Sequence, residues 1–190
     1  MASEMAGYNS RWRLRESSPE ATWQAPWGGC AGKPTQKGTE MTTTLPFDTR
    51  NVSWHTLEGF PHIAYHICAV DETKRIVDIL FKFDAHSKIA THRHKCDYVT
   101  VILQGELRIY RANGELKEVR PVGSYVSTPG DGEPHTEGGG DQDVIAFFSN
   151  RNVDNLVYEI LDDNLNVIAT LGVAEFKALL EAQNAQASAA

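Results

Sequence analysis

THRHKCDYVTVILQGEL, residues 91–107, sets two histidines one residue apart just ahead of an apolar run that ends in a glycine. On a strand, His92 and His94 project from the same face, roughly 6–7 Å apart along the chain, and can share one ion. Imidazole is a good neutral ligand for iron, copper, nickel or zinc. Alone, the pair is a weak signal, because such spacing also arises on polar surfaces. GSYVSTPGDGEPH, residues 123–135, adds weight: Gly123, five residues, Pro129, a glycine-rich turn and then His135. The competing reading makes His135 a turn residue. Order, spacing and strand patterning favour one metal ion on His92, His94 and His135.

Outward from this pair the chain reads as β from Val52 to about Ile168. HIAYHICAV (62–70) and RIVDILFKFD (75–84) are strand-like runs separated by Asp71-Glu72-Thr73-Lys74. In the second, Ile79, Phe81 and Phe83 share one face while Asp78, Lys82 and Asp84 take the other. DYVTVILQGELRIY (97–110) is one long strand, or two with Gly105 at the bend. Ala112-Asn113-Gly114 is a hairpin turn, SYVST a short strand closed by Pro129-Gly130, and VIAFFSN and LVYEIL two more strands. Asp162-Asp163-Asn164 then turns the chain into NVIATL. Many short strands joined by turn residues predict an all-β sandwich or closed barrel. In VAEFKALLEAQ the period changes: Val173, Phe176, Leu179 and Leu180 recur at helical spacing, predicting a final helix with one face on the barrel. The tail AQASAA is expected to fray.

The composition narrows the class. A chain of 190 residues with 41% apolar content suffices for one well-packed domain. Its net charge of −7 argues against phosphate-backbone contacts, so nucleic acid is not expected as a partner. No apolar run approaches the ~20 residues that span a bilayer. The early arginines Arg11, Arg13 and Arg15 are followed by no apolar core of a secretory signal. Cys30, Cys68 and Cys96, odd in number and widely spaced, suit reduced thiols in a cytoplasm. Residues 1–40 carry Gly, Pro, Ser and Thr with isolated Trp12, Trp23 and Trp27 and no sustained period. They read as a disordered leader or an upstream-extended start, with a short arm packed through its tryptophans as the alternative. Residues 41–190 are expected to form the single domain, with a metal-binding core over 74–151 and a C-terminal hairpin and helix over 156–184.

The two histidine segments are similar to the two halves of the cupin signature, which implies a double-stranded β-helix, or jelly-roll barrel, with the C-terminal helix appended. Without the usual glutamate ligand, and with the tail LDDNLNVIATLGVAEFKALLEAQ (161–183), the chain resembles the acetylacetone-cleaving dioxygenases over residues 48–183. It is also similar to the related 2,4'-dihydroxyacetophenone dioxygenases. There are departures. His86 stands where the first motif opens with glycine, and Tyr98 and Val99 stand where its glutamate falls. Asp97 comes one residue too early for that role. The second motif has one extra residue between Pro129 and His135, and Gly139 replaces a common asparagine. Arg108 does not match the register of the arginine that this family carries on the strand after the glycine.

The resemblance implies non-haem Fe(II) on His92, His94 and His135, although imidazole also suits zinc, nickel and manganese. It further implies a small carbonyl substrate, a β-dicarbonyl or hydroxyketone, cleaved at a C–C bond by O2. Three neutral ligands would leave the ion its full charge and so favour an enolate. A homodimer or homotetramer fits the same resemblance. Two other classes compete: a zinc-holding regulatory cupin, closed by a fourth ligand among Asp97, Glu133 and Glu137, and a structural barrel with a vestigial site. His55, His62, His66, His86 and Cys96 are expected outside the centre, with Phe81, Phe83, Tyr98, Phe147 and Phe148 mostly in the core.

Overall fold

A computed structural model describes residues 47–189, and the expectation for residues 1–40 lies outside the described residues. The strands follow in chain order as β1 (His55–Thr56), β2 (Ile63–Asp71), β3 (Ile76–Phe83), β4 (His92–His94), β5 (Asp97–Gln104) and β6 (Glu106–Arg111). Then come β7 (Leu116–Pro121), β8 (Tyr125–Thr128), β9 (His135–Gly139), β10 (Val144–Arg151), β11 (Leu156–Leu161) and β12 (Val167–Gly172), with α1 (Val173–Ala189) last. They form two six-stranded sheets, in the orders β1-β2-β3-β10-β5-β8 and β12-β11-β4-β9-β6-β7. Every strand pairing is antiparallel. This is the two-sheet jelly roll expected from the alternating strands and turn residues.

Residues from both sheets meet between them. Phe83, Ile102 and Phe148 of the first sheet pack with Leu107 and Ile109 of the second. A second cluster joins Ile67 and Ile79 to Val157, Tyr158 and Phe176, so the helix closes one end of the core. Ile79 and Phe83 are buried on one face of β3 with Phe81 packed beside them, as the alternation predicted. The run 97–110 resolves into two strands in different sheets, with Gly105 between them at a φ of 70°. A side chain there would meet the Asp143 carbonyl, so glycine answers both the backbone angle and the close approach.

Asp162 Oδ1 accepts from the backbone N–H groups of Asn164 and Asn166, fixing the turn between β11 and β12. At the helix start, Glu175 Oε2 accepts from the N–H of Gly172 at 2.8 Å, a reach-back that satisfies a free donor. Val173, Phe176, Leu179 and Leu180 form the packed face. The helix continues through Ala189, farther than the expected fraying of AQASAA allowed. An alanine-rich end has good helix propensity and extends a helix already docked by its first turns. Among the described residues, no helix is long and apolar enough to cross a membrane.

Candidate metal centre

His92 and His94 lie on β4, whose neighbours in the sheet are β9 and β11. His92 pairs directly with His135 of β9, and His94 lies opposite Tyr158 of β11. Strand parity turns both β4 imidazoles inward, and the pairing brings His135 to them. The three side chains predicted to converge do so, all buried. Parity adds a fourth, because Glu137 is two residues beyond His135 on β9 and faces the same way. One ligand atom from each of His92, His94, His135 and Glu137 lies within 4.8 Å of all the others. Glu137 carboxylate oxygens stand 3.8 Å from His92 Nε2 and 3.7 Å from His135 Nε2, beyond direct hydrogen bonding.

The donor set fits a metal ion. His94 Nδ1 and Nε2, His135 Nε2 and Glu137 Oε1 are buried and have no hydrogen-bond partner. Burial without a partner costs roughly 1–3 kcal/mol per group, and an ion bound by one His94 nitrogen, His135 Nε2 and Glu137 Oε1 removes that cost at those three atoms. The other ring nitrogens orient two of the imidazoles: His92 Nδ1 faces the Ala90 carbonyl at 3.0 Å and His135 Nδ1 the Glu133 carbonyl at 3.1 Å. Donation from Nδ1 leaves each Nε2 with its lone pair toward the centre.

Burial, aided by the neighbouring His135, lowers the His92 pKa to about 4, and burial holds His94 well below the ordinary imidazole value. Both are therefore neutral near pH 7, the form that binds metal. For His135 the penalty of burial is outweighed by the Glu137 carboxylate, which raises its pKa. Burial pushes Glu137 upward, but His135, His92 and Arg120 hold it below the usual carboxylate range.

Tyr98 stands where the expected motif would carry its acid, and its ring stacks on His94 at a centroid distance of 3.7 Å. Burial raises the Tyr98 pKa to about 12, so the phenol stays neutral. Two cavities flank the centre. One, of about 70 Å³, is walled by Phe81, Phe83, Phe148, Tyr158 and Phe176 and reaches His92, His94 and Glu137. The other, of about 270 Å³, is lined by Tyr98, Lys117, Glu118 and Arg120 and reaches His94 and His135. Phe147, on the opposite parity of β10, is half-buried.

The remaining candidates lie elsewhere. Asp97 is exposed and accepts from the Gly130 N–H at 3.0 Å and Asn152 Nδ2 at 2.8 Å, which lower its pKa. It ties two loops together and is no part of the group. Glu133 is exposed and pairs with Arg111 at 3.0 Å and Lys117 at 2.6 Å. Of the three acids considered as a fourth ligand, only Glu137 lies with the histidines, so the structure gathers three imidazoles and one carboxylate. The signal was the H-x-E spacing at residues 135–137, the same parity as residues 92–94.

Arg108 pairs with Glu106 at 2.5 Å and Asp141 at 3.6 Å. His62 pairs with Asp84 at 3.2 Å, His66 faces the Ser53 carbonyl at 3.0 Å, and His55 packs against Tyr65. His86 is exposed in the segment before β4. Cys96 lies buried between β4 and β5, where burial raises its thiol pKa to about 12.

Gly138 and Gly139 explain how β9 is held. A side chain at either would strike the backbone of residues 84–88, which runs against the strand. That approach lets the Ile89 N–H donate to the Glu137 carbonyl at 2.9 Å and Thr136 Oγ1 donate to the Ile89 carbonyl at 2.5 Å.

No family model and no curated protein matches the sequence. Solved structures do match the fold. An acetylacetone dioxygenase from Acinetobacter johnsonii is similar at 18% identity and a TM-score of 0.56, covering 82% of this chain and 99% of that one. An RmlC-like cupin protein from Ralstonia eutropha is similar at 18% identity and 0.58, covering 72% and 83%. A second Ralstonia eutropha protein, of unknown function and cupin-like fold, is similar at 13% identity and 0.59, covering 79% and 90%. With two antiparallel sheets, a closing helix and these likenesses, the chain is a cupin by fold.

Proposed function

We propose that this chain is an Fe(II)-dependent oxygenase that cleaves a C–C bond of a small β-dicarbonyl or hydroxyketone with O2. The observation that carries the reading is the convergence of three imidazoles and one carboxylate, with four of their polar atoms left without another partner. The likeness of fold to an acetylacetone dioxygenase supports it. When bound, Fe(II) supplies Lewis acidity toward carbonyl oxygens and electron transfer to O2.

The protein contributes the setting. Neutral His92 and His94 present lone pairs at neutral pH, and the Ala90 and Glu133 carbonyls aim His92 and His135. Glu137 brings one negative charge, so a divalent ion beside it and a singly charged enolate sum to no net charge. That balance suits a site walled by Phe81, Phe83 and Phe148, where an uncompensated charge is costly. The aromatic wall also keeps water from that side of the centre.

Glu137 favours a second reading as well, a zinc-holding binding cupin. Four protein atoms complete the shell of an ion that takes four ligands, whereas an ion that takes six keeps room for substrate. Elemental analysis of protein purified without chelators, followed by oxygen uptake after anaerobic Fe(II) loading, separates the two. A panel of β-diketones and hydroxyacetophenones is the substrate set. Iron near one per chain with substrate-dependent uptake is expected; tightly held zinc with no uptake moves the protein to the binding class.

A further inference from the structure

Arg120, on edge strand β7, is buried, with only 5% of its surface exposed. Its Nε and Nη2 donate to the two oxygens of Glu118 at 2.8 and 3.0 Å. The third nitrogen, Nη1, is buried and has no partner. Leaving guanidinium N–H groups unpaired inside a protein is expensive, and the group cannot shed its charge to escape that cost. The side chain lines the 270 Å³ cavity that also reaches His94 and His135. This cavity opens beside the exposed Gly132 and Glu133.

The charges around the cavity are paired, save for one donor. Glu118 is engaged by Arg120, and Glu133 by both Lys117 and Arg111. Arg120 also faces the charge of Glu137, so carboxylates and cations balance here, and the donor left without a partner is Arg120 Nη1. The 70 Å³ cavity on the other side has aromatic walls and no such group. The two sides therefore differ in chemistry, and the larger one has an unfilled place for an anionic oxygen.

We propose that the larger cavity takes a small carbonyl compound bearing a carboxylate, the carboxylate on Arg120 Nη1 and the carbonyl oxygens toward His94 and His135. The substrate class is then a dioxo acid rather than a neutral diketone. This rests on the reading of the four-residue group as a centre that binds a dicarbonyl. Arg120 acts as a binding residue, with Glu118 holding the guanidinium in place. A carboxylate offers two oxygens to donors that are already desolvated, so the pairing is expected to be strong.

The test compares two probes that share a β-dicarbonyl and differ by a carboxylate, 2,4-dioxopentanoate and pentane-2,4-dione. Calorimetric titration of the full chain, loaded with Fe(II) under anaerobic conditions, reads binding without turnover. The dioxo acid is expected to bind at least tenfold more tightly. Arg120→Met is expected to abolish that preference; the ratio of the two affinities is the readout, because Arg120 also faces the Glu137 carboxylate and its loss acts on both probes. Equal affinities in the unaltered chain, or a preference that survives Arg120→Met, overturn the proposal. Should Arg120→Met fail to fold, Arg120→Gln carries the same comparison. If neither probe binds, titration with propanoate separates the two layers. Propanoate binding lost in the variant keeps the carboxylate site and overturns the dicarbonyl reading, whereas no propanoate binding overturns the site as well.

Discussion

His135 and Glu137 face the same centre from one strand, so their removal tests different things. His135→Ala deletes one imidazole of the group and leaves Glu137 without the partner that stands 3.7 Å away. The variant is expected to lose both bound metal and turnover, measured by elemental analysis and oxygen uptake; full metal content would sink the ligand assignment. Glu137→Gln keeps the shape and removes the charge, and metal affinity is expected to fall at least tenfold in a competition titration. A period of two puts His92 and His94 on one face, and the segment 123–135 was needed beside that spacing to bring in His135. Glu137 follows the same rule but stood level with Asp97 and Glu133 in the sequence, since the resembling motif draws its acid from the strand after the histidine pair. At that place this chain has Tyr98, which stacks on His94 instead. The unpartnered Nη1 of Arg120 had no signature, because it depends on how one guanidinium meets Glu118 in three dimensions.

Among the elements, strands and turns followed from alternation and from residues such as Asn113-Gly114, and Gly105 marked the crossing between sheets. The docking of α1 was only half legible. Its apolar face was visible as Phe176, Leu179 and Leu180, but Gln183 was not. This buried side chain accepts from the Ile67 N–H and donates to the Ile67 carbonyl, both at 3.0 Å, where the register of β2 against β3 shifts. The two residues lie 116 positions apart in sequence, so no local pattern could join them. Gln183→Leu leaves both backbone groups buried and unpaired, with an expected loss of about 2–4 kcal/mol in urea unfolding. Phe176→Ala in the same helix is expected to cost about 3–5 kcal/mol by opening a cavity beside Tyr158.

For the molecule as a whole, the centre ties stability to pH. His92 titrates near 6.5 when unfolded and at about 4 when folded, so the neutral form is the one the fold accommodates. The stability this represents is complete above pH 6.5 and is lost as pH falls toward 4, on the order of 3 kcal/mol. His94 shifts in the same direction, while His135, raised by Glu137, offsets part of the effect. Metal-free protein is expected to show a falling Tm across that window, measured by calorimetry. Metal at a thousand times its Kd is expected to add about 4 kcal/mol at neutral pH, an increment that disappears with chelator. Assembly belongs to this scale as well. Val167 and Ile168 are exposed on edge strand β12, and sedimentation of the full chain checks the expected homodimer or homotetramer.

The close approach of residues 84–88 to β9 bears on how tolerance to substitution would read across this protein. A saturation scan scored by activity alone would mark Gly138 and Gly139 as intolerant as His92, His94 and His135. An observer without coordinates would count five residues of equal importance and assign the glycines to chemistry. Scoring cellular abundance beside activity is expected to part them. Substitutions at the glycines deplete the protein itself, whereas His94→Gln leaves it abundant and inert. Intolerance in this segment is therefore a record of crowding as much as of catalysis.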